Sequence, residues 1–518
     1  MKKRAQIPNA KTYTIIFRGC SDSLHPKLAV AEATRIYNFM LNLGALKPNT
    51  IHMNAVLEVC ARAGDIESLF LILKSANESM RAPDAHTFTI VLNALRFDFK
   101  KPDRELVVDQ DAKLEIEQHI QRANAVWADV LARWRGAKIL VDEQLVNAMG
   151  RILITGEYKD NDSVLDLVEQ TMKIPRLDKI GGKLPSAPDG EAKAAVQQPR
   201  TESDAVASPP VSQQDAPVVS NLSPKSRREL AASRANSTPL FAKPGQKTLS
   251  LILRALNKTR KTSSAPKYWA YFTKSLGVAP DMDNYFCYLH ALASGHASTQ
   301  VAALIPAMPT DILSFITFRI AFGACVHDNL NKDAFKNACA IFDIMTTHQR
   351  YPDALAMRLF LHAARANTRH FHEQAKTDAD ASKRAYGNQL AVALDRMWEP
   401  FRILLGSFSY PEAPTKSPEE LLEKQRGDMQ EAMATARRMI SAMDFIVGES
   451  MVDKKTAKTM AARRIILQKV VERHILKLYP KGSKDHGSQG SQGSRKKPQW
   501  YDVHGLEKLA NDRAPYSF

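Results

Sequence analysis

The residues best suited to bind anions are gathered near the end of this chain. In the run that follows Asp453, the cations Lys454, Lys455, Lys458, Arg463, Arg464, Lys469, Arg473 and Lys477 are opposed only by Asp453 and Glu472. Ile465, Ile466, Val470, Val471 and Ile475 recur through the same run, which therefore reads as a helix with an apolar stripe and a basic face. Such a face suits the phosphate backbone of RNA, ribosomal RNA included. Attachment to an anionic membrane surface is its other use, and plain solvation the bland one. The whole chain leans the same way: 518 residues carry a net charge of +17, and polycations of this kind attract polyanions by releasing counterions.

Groups that could do covalent chemistry fare worse. The segment IGGKLPS (Ile180 to Ser186) hints at a phosphate loop, but it lacks the upstream Gly, and Leu184 follows Lys183 where Ser or Thr should stand. His370 and His372 have no Cys or carboxylate at ligand spacing and read as solvated or packed imidazoles. Cys20, Cys60, Cys287, Cys325 and Cys339 are scattered and odd in number, which argues against zinc and against a disulfide framework and points to a reducing intracellular compartment. No ordered acid/base pair or nucleophile group emerges. The expectation is a binding protein, not an enzyme, with no cofactor, no metal, no small-molecule substrate and no membrane span.

Whatever these residues do, repeated elements must position them. A Pro-Asn or Pro-Asp step followed by an apolar run recurs in IPNAKTYTII, KPNTIHMNAVL, APDAHTFTIVL, APDMDNYFCYL and YPDALAMRLFL. Thr50 to Asp84 is one period of 35 residues; Pro8 to Pro48 is 40, the same unit with a small insertion around SDSLHPK. A period in the mid-thirties fits a helix-turn-helix unit stacked into a solenoid. In the second unit, Met53, Val56, Leu57, Val59 and Cys60 lie on a first helix that Gly64 can terminate. Asp65 can cap a second helix in which Ile66, Leu69, Phe70 and Leu73 share a face. Pro83 stops that helix and Asp84 begins the next unit.

About eight such units are expected, four on each side of a central gap. The predicted class is all-α: a solenoid of helical hairpins in two blocks, 1–175 and 244–410. A disordered linker rich in Pro, Ser, Ala and Gln (176–243) separates them. A capping region (411–480) and a disordered basic tail (481–518) complete the chain. Looser units include a charged insertion from Phe97 to Asp111. Ser417-Pro-Glu-Glu420 reads as a capping box, opening a helix whose Met429, Met433, Ala436, Ile440 and Met443 form either a buried capping face or a partner groove. Trp127 and Trp134, seven apart, read as core, with base stacking the minor alternative. The basic opening MKKRAQIPNAK is too short for a transit peptide. It looks like the tail of a preceding unit, so a further portion or a targeting segment is expected outside this sequence.

NAKTYTIIFRGC, NTIHMNAVLEVCARAGD and DAHTFTIVLNAL resemble the pentatricopeptide repeat, strongly over Pro8 to Leu95, moderately to Met172, and in patches from Gln246 to Phe408. The resemblance implies recognition of single-stranded RNA, one base per repeat, read by two or three side chains. In this family one reader lies on the first helix and the other is the last residue of the unit. That gives Thr14 with Asn49, Asn54 with Asp84, and Thr89 with Asp142, while Asn147 awaits a partner expected near Arg176. Short side chains of these types offer donors and acceptors to a base edge without filling the gap. The family's pairing tendencies make the three pairs favour adenine, uracil and guanine in turn. Arg319 and Arg358 occupy analogous sites, where phosphate contact or solvation is expected instead.

By the same resemblance the chain is expected to act in the mitochondrial matrix, in processing, stability, splicing or translation of organellar transcripts, with mitochondrial mRNA or rRNA as partner. Two alternatives stand beside it. One is a structural component or assembly factor of the mitochondrial small ribosomal subunit, making mostly phosphate contacts. The other is a tetratricopeptide-like scaffold that binds protein.

Overall fold

The computed structural model describes residues 8–42, 46–98, 109–179, 240–408 and 418–478, without side-chain detail for 97–98, 109–112, 418–426 and 474–478. The centre of the expected linker, the phosphate-loop-like segment, most of the charged insertion, the Ser417 capping box, Ile475, Lys477 and the basic tail lie outside that description. The described residues are all-α, and the chain divides by internal contacts into a unit from Met1 to Asn284 and a unit from Tyr285 to Phe518.

The first unit is a succession of helical hairpins. Their first helices are α1 (Ala10–Ser21), α3 (Thr50–Ala63), α5 (Ala85–Asp98), α7 (Glu143–Leu153) and α9 (Gln246–Lys258). Each packs on the next, and each is paired with a second helix: α2 (Pro26–Asn42), α4 (Ile66–Leu73), α6 (Asp109–Arg135), α8 (Tyr158–Met172) and α10 (Ala265–Ala270). The second hairpin shows why the sequence folds this way. Asn49 accepts the His52 amide at 3.0 Å to open α3, and Gly64, at φ 68°, closes it in the left-handed conformation that glycine adopts without strain. Asp65 then accepts the Ser68 amide at 2.9 Å to start α4. Met53, Val56, Leu57, Val59, Cys60, Leu69 and Ile72 are buried between the neighbouring hairpins.

Helix α9, the first of the expected second block, packs directly on α7 and α8. Gly150 makes this possible: a Cβ there would sit 2.4 Å from a methyl of Leu251. The two ends of the expected linker are built into the fold. Trp134, buried as the sequence suggested, donates from its indole to the Leu240 carbonyl at 2.8 Å, and the Ala242 amide reaches the Thr171 carbonyl at 2.9 Å. Arg176 is 4% exposed and bonds to Asp162, Asp166 and Asp178, while Lys261, just past α9, bonds to Asp162 at 2.6 Å and Asp178 at 3.0 Å. This ion cluster ties the fourth hairpin to the fifth.

Helix α11 (Met282–Ser294) begins in the first unit and continues in the second. The second unit continues with α12 (Ser298–Leu304), α13 (Phe315–His327), α14 (Ala334–His348), α15 (Ala354–Ala366), α16 (Arg369–Ala375), α17 (Ala379–Ser407), α18 (Pro418–Gly448) and α19 (Lys454–Leu478). Met433, Ala436, Ile440 and Met443 on α18 are buried, and Met429 is half-buried. That helix packs on α15 and α17, with the Thr435 hydroxyl donating to the Ala354 carbonyl at 3.0 Å. The methionine stripe is thus a cover over the last hairpin.

Candidate nucleic-acid interface

The residue that closes one unit also caps the first helix of the next. Asn9, Asn49, Asp84, Asp142, Asp281 and Asp353 each accept the backbone amide three residues on: Thr12 at 2.9 Å, His52 at 3.0 Å, Thr87, Leu145, Asn284 and Ala356 at 2.8 Å. Two caps depart from this. Ser314 forms a capping box with Thr317. Gly245 has no side chain, and the Glu143 carboxylate of the preceding repeat occupies the vacated place, accepting the Thr248 amide at 2.9 Å and its hydroxyl at 2.8 Å.

Five residues past each cap stands the candidate reader: Thr14, Asn54, Thr89, Asn147, Ser250, Phe286, Arg319 and Arg358. Asn54 and Asp84, expected to act together, touch: Asn54 Nδ2 donates to Asp84 Oδ1 at 3.2 Å, and the Thr87 hydroxyl donates to Asn54 Oδ1 at 2.7 Å. Asp84 Oδ2 makes no hydrogen bond among the described residues, nor do the second side-chain atoms of Asn49, Asp142 and Asp281 (Nδ2, Oδ2 and Oδ2). Each of these four caps therefore keeps one polar atom for another partner. Asn54 is buried at 6% exposure and Asp84 half-buried, so the pair presents chiefly the carboxylate.

The other readers are held by their own helices. The hydroxyls of Thr14 and Thr89 donate to Ala10 (3.1 Å) and Ala85 (2.8 Å), which leaves their lone pairs as acceptors. Asn147, 4% exposed, donates to the Glu143 carbonyl at 2.9 Å. Its closing position is Gly245, not the expected neighbourhood of Arg176, whose guanidinium is buried among carboxylates. Ser250 was not expected as a reader. Its hydroxyl accepts from Asn284 Nδ2 at 2.7 Å, just past the Asp281 cap, much as Asn54 meets Thr87. Because Gly245 hides the cap, only counting back from the apolar run of α9 would have found it.

Arg319 and Arg358 are neither solvated nor turned to phosphate. Arg319 is 7% exposed and grips Asp353 with two hydrogen bonds, Nε to Oδ2 at 2.7 Å and Nη2 to Oδ1 at 2.6 Å. Arg358, 3% exposed, is ion-paired to Glu431. Burial of a charge demands a partner, and these arginines have found theirs on the adjoining helix.

The cations of α19 divide in two. Lys454, Lys455, Lys458, Lys469 and Arg473 are exposed and form no ion pair among the described residues. Arg463 bonds to Asp395 at 2.8 Å and lies 4.9 Å over the Trp398 ring, and Arg464 bonds to Asp444 at 3.0 Å, so both are occupied in holding the helix. The packed face holds Met460, Leu467 and, from the expected stripe, Val471; Ile465 and Ile466 of that stripe are 50% and 51% exposed on the basic side. His370 is half-buried beside Phe371 with its pKa lowered by burial, and the described residues contain no group of His, Cys, Asp and Glu that could hold a metal. None of the five cysteines forms a disulfide; burial pushes the Cys60 thiol up to about 12. No described helix is long and apolar enough to cross a membrane.

No protein-family model matches the chain, and no curated protein does. Among solved structures it is similar to the pentatricopeptide repeat protein PPR10 from maize, at 14% identity over 91% of this chain and 71% of that one, with a TM-score of 0.22. It is also similar to PPR10 in complex with an 18-nt psaJ RNA element, at 12% identity over 92% and 70% of the two chains, with a TM-score of 0.24. Identity and superposition are both low, and the assignment of repeats rests on the caps and hairpins of this chain itself.

Proposed function

We propose that this chain binds single-stranded RNA in a base-selective way, as a non-catalytic factor in mitochondrial RNA metabolism. The observation that carries the reading is the set of half-engaged caps. Asn49, Asp84, Asp142 and Asp281 each fix a helix start with one side-chain atom and keep the other unbonded among the described residues, in register with a polar residue on the helix before. A structural cap needs only the first atom; a base edge would use the second. At the second repeat, Asp84 Oδ2 supplies an acceptor, which suits the imino N–H of uracil. The likeness of the first three hairpins to pentatricopeptide repeats supports the same pairing, and organellar transcripts follow from that likeness alone.

The test is binding of short RNAs that differ by one base, measured at fixed salt. Changing the base preferred by one repeat should weaken binding about tenfold or more, as expected for a hydrogen bond to a charged group. Equal binding to all sequences would remove the proposal. Crosslinking in cells, followed by sequencing of the bound RNA, tests the compartment: fragments without mitochondrial transcripts would remove that part.

The five exposed cations of α19 favour one further reading, a ribosome-associated protein whose contacts are mostly with phosphate. It predicts steep salt dependence and little response to base changes.

A further inference from the structure

Within the RNA-binding reading, on which this inference rests, we propose that base selection is confined to the first unit. The buried Arg319–Asp353 and Arg358–Glu431 pairs are locks that hold the equivalent positions of the second unit shut.

The argument compares the same two positions in different repeats. At the second repeat, Asp84 Oδ1 takes the Thr87 amide, the Thr87 hydroxyl and the Asn54 carboxamide, while Oδ2 makes no hydrogen bond among the described residues. At the seventh, Asp353 again caps its helix, with Oδ2 taking the Ala356 amide at 2.8 Å, but Arg319 reaches across from the helix before and occupies both oxygens. The forked guanidinium matches a carboxylate edge as a base would, with two parallel donors in one plane. A protein side chain has taken the place that a base could otherwise fill. Both partners are sheltered, at 8% and 17% side-chain exposure, so an incoming nucleotide would have to break a desolvated ion pair before gaining anything in return. Arg358 is likewise sheltered with its partner, at 3% and 18%, but through Nη2 to one oxygen of Glu431, a carboxylate supplied by the covering helix α18. The remaining position, Phe286 followed by Ser314, has an apolar reader. In the first unit the closing caps Asn49, Asp84, Asp142 and Asp281 each keep one side-chain atom unbonded among the described residues, although Asn54 and Ser250 are as buried as Arg319, and Asn147 alone lacks a closing side chain because Gly245 stands there.

The geometry therefore predicts a motif: three specified nucleotides, one relaxed, one specified, and no preference at further positions. Selection of RNAs from a random pool by the full chain, followed by sequencing, reads this directly. Arg319→Asn would recreate the Asn–Asp pair of the second repeat and should add one specified position with about tenfold discrimination. Arg319→Ser, which copies Ser250, is the second variant should the first fail to fold, with folding checked by circular dichroism. A wild-type motif specified beyond the first unit's positions, or folded variants whose motif matches the wild type, would overturn the locks. A wild type with no base preference anywhere defeats the base-selective function itself. In that case a preference appearing only in the Arg319 variants still supports the locks, and its failure to appear overturns them.

Discussion

Asp84 commits one oxygen to a helix and its neighbours and keeps the other without a hydrogen bond among the described residues, and the two roles can be separated by mutation. Thr87→Val removes the hydroxyl that donates to Asn54 at 2.7 Å but leaves Asp84 Oδ2 untouched. It should cost about 1 kcal/mol in stability with base preference unchanged. Asp84→Ala should cost a similar amount through the lost cap and also abolish discrimination at that repeat. Denaturant unfolding and RNA titration of the two variants check this; loss of discrimination in both would mean that Asp84 acts only through stability. The helix starts at Asn9, Asn49 and Asp84, and with them the places of Thr14, Asn54 and Thr89, were legible because a Pro-Asn or Pro-Asp step fixes the count; Asp142 follows Val141 and carries no such mark. Ser250 was not, because its hairpin starts at a glycine. The fate of Arg319 and Arg358 was not legible either: position is local, but Asp353 and Glu431 approach only once the hairpins stack.

At the level of elements, the junction of the fourth and fifth hairpins rests on the Arg176 cluster. Burial alone would raise the pKa of Asp178, but the hydrogen bonds from Arg176 and Lys261 outweigh it and hold the carboxyl well below its usual range; Asp162 is lowered in the same balance. A carboxyl whose folded pKa is depressed contributes stability above its ordinary value of about 4, and loses it as pH falls through the folded value. Stability should therefore be level above about pH 5 and decline in acid, with the decline blunted in Asp178→Asn. Arg176→Ala leaves two sheltered carboxylates facing Lys261 alone and should cost about 3 kcal/mol or more. Urea unfolding from pH 3 to 7, a range chosen to span the roughly pH 4 carboxylate transition, would show both, and an acid decline unchanged in Asp178→Asn would contradict the assignment. The hairpins themselves were readable from periodicity and breakers. The docking of residues 176–179 and 240–243 was not, since in a polar, proline-rich stretch an Arg that will be buried looks like any solvated one.

For the molecule as a whole, the charge of +17 is distributed unevenly in function. Arg463 and Arg464 are engaged by Asp395 and Asp444, whereas Lys454, Lys455 and Lys458 face water. Replacing those three lysines by glutamine should weaken all RNAs alike and reduce the salt slope by roughly 2 to 3, close to one per phosphate contact. Arg463→Gln should instead lower the melting temperature. Binding measured across a salt series separates the two, and an unaltered slope in the lysine variant would remove α19 from the interface. The sequence showed a basic helix and its composition; which side packs depended on α18 and α17, so Met460 and Leu467 joined the expected Val471 on the packed face while Ile465 and Ile466 stayed exposed.

The carboxylate of Glu143 at the start of α9 has a consequence for how the chain assembles. A helix that brings its own cap can begin to form in isolation; α9 borrows its cap from the module before it. Its first turn is therefore completed only after the fourth hairpin is in place. Growth of the stack across this seam thereby acquires a direction.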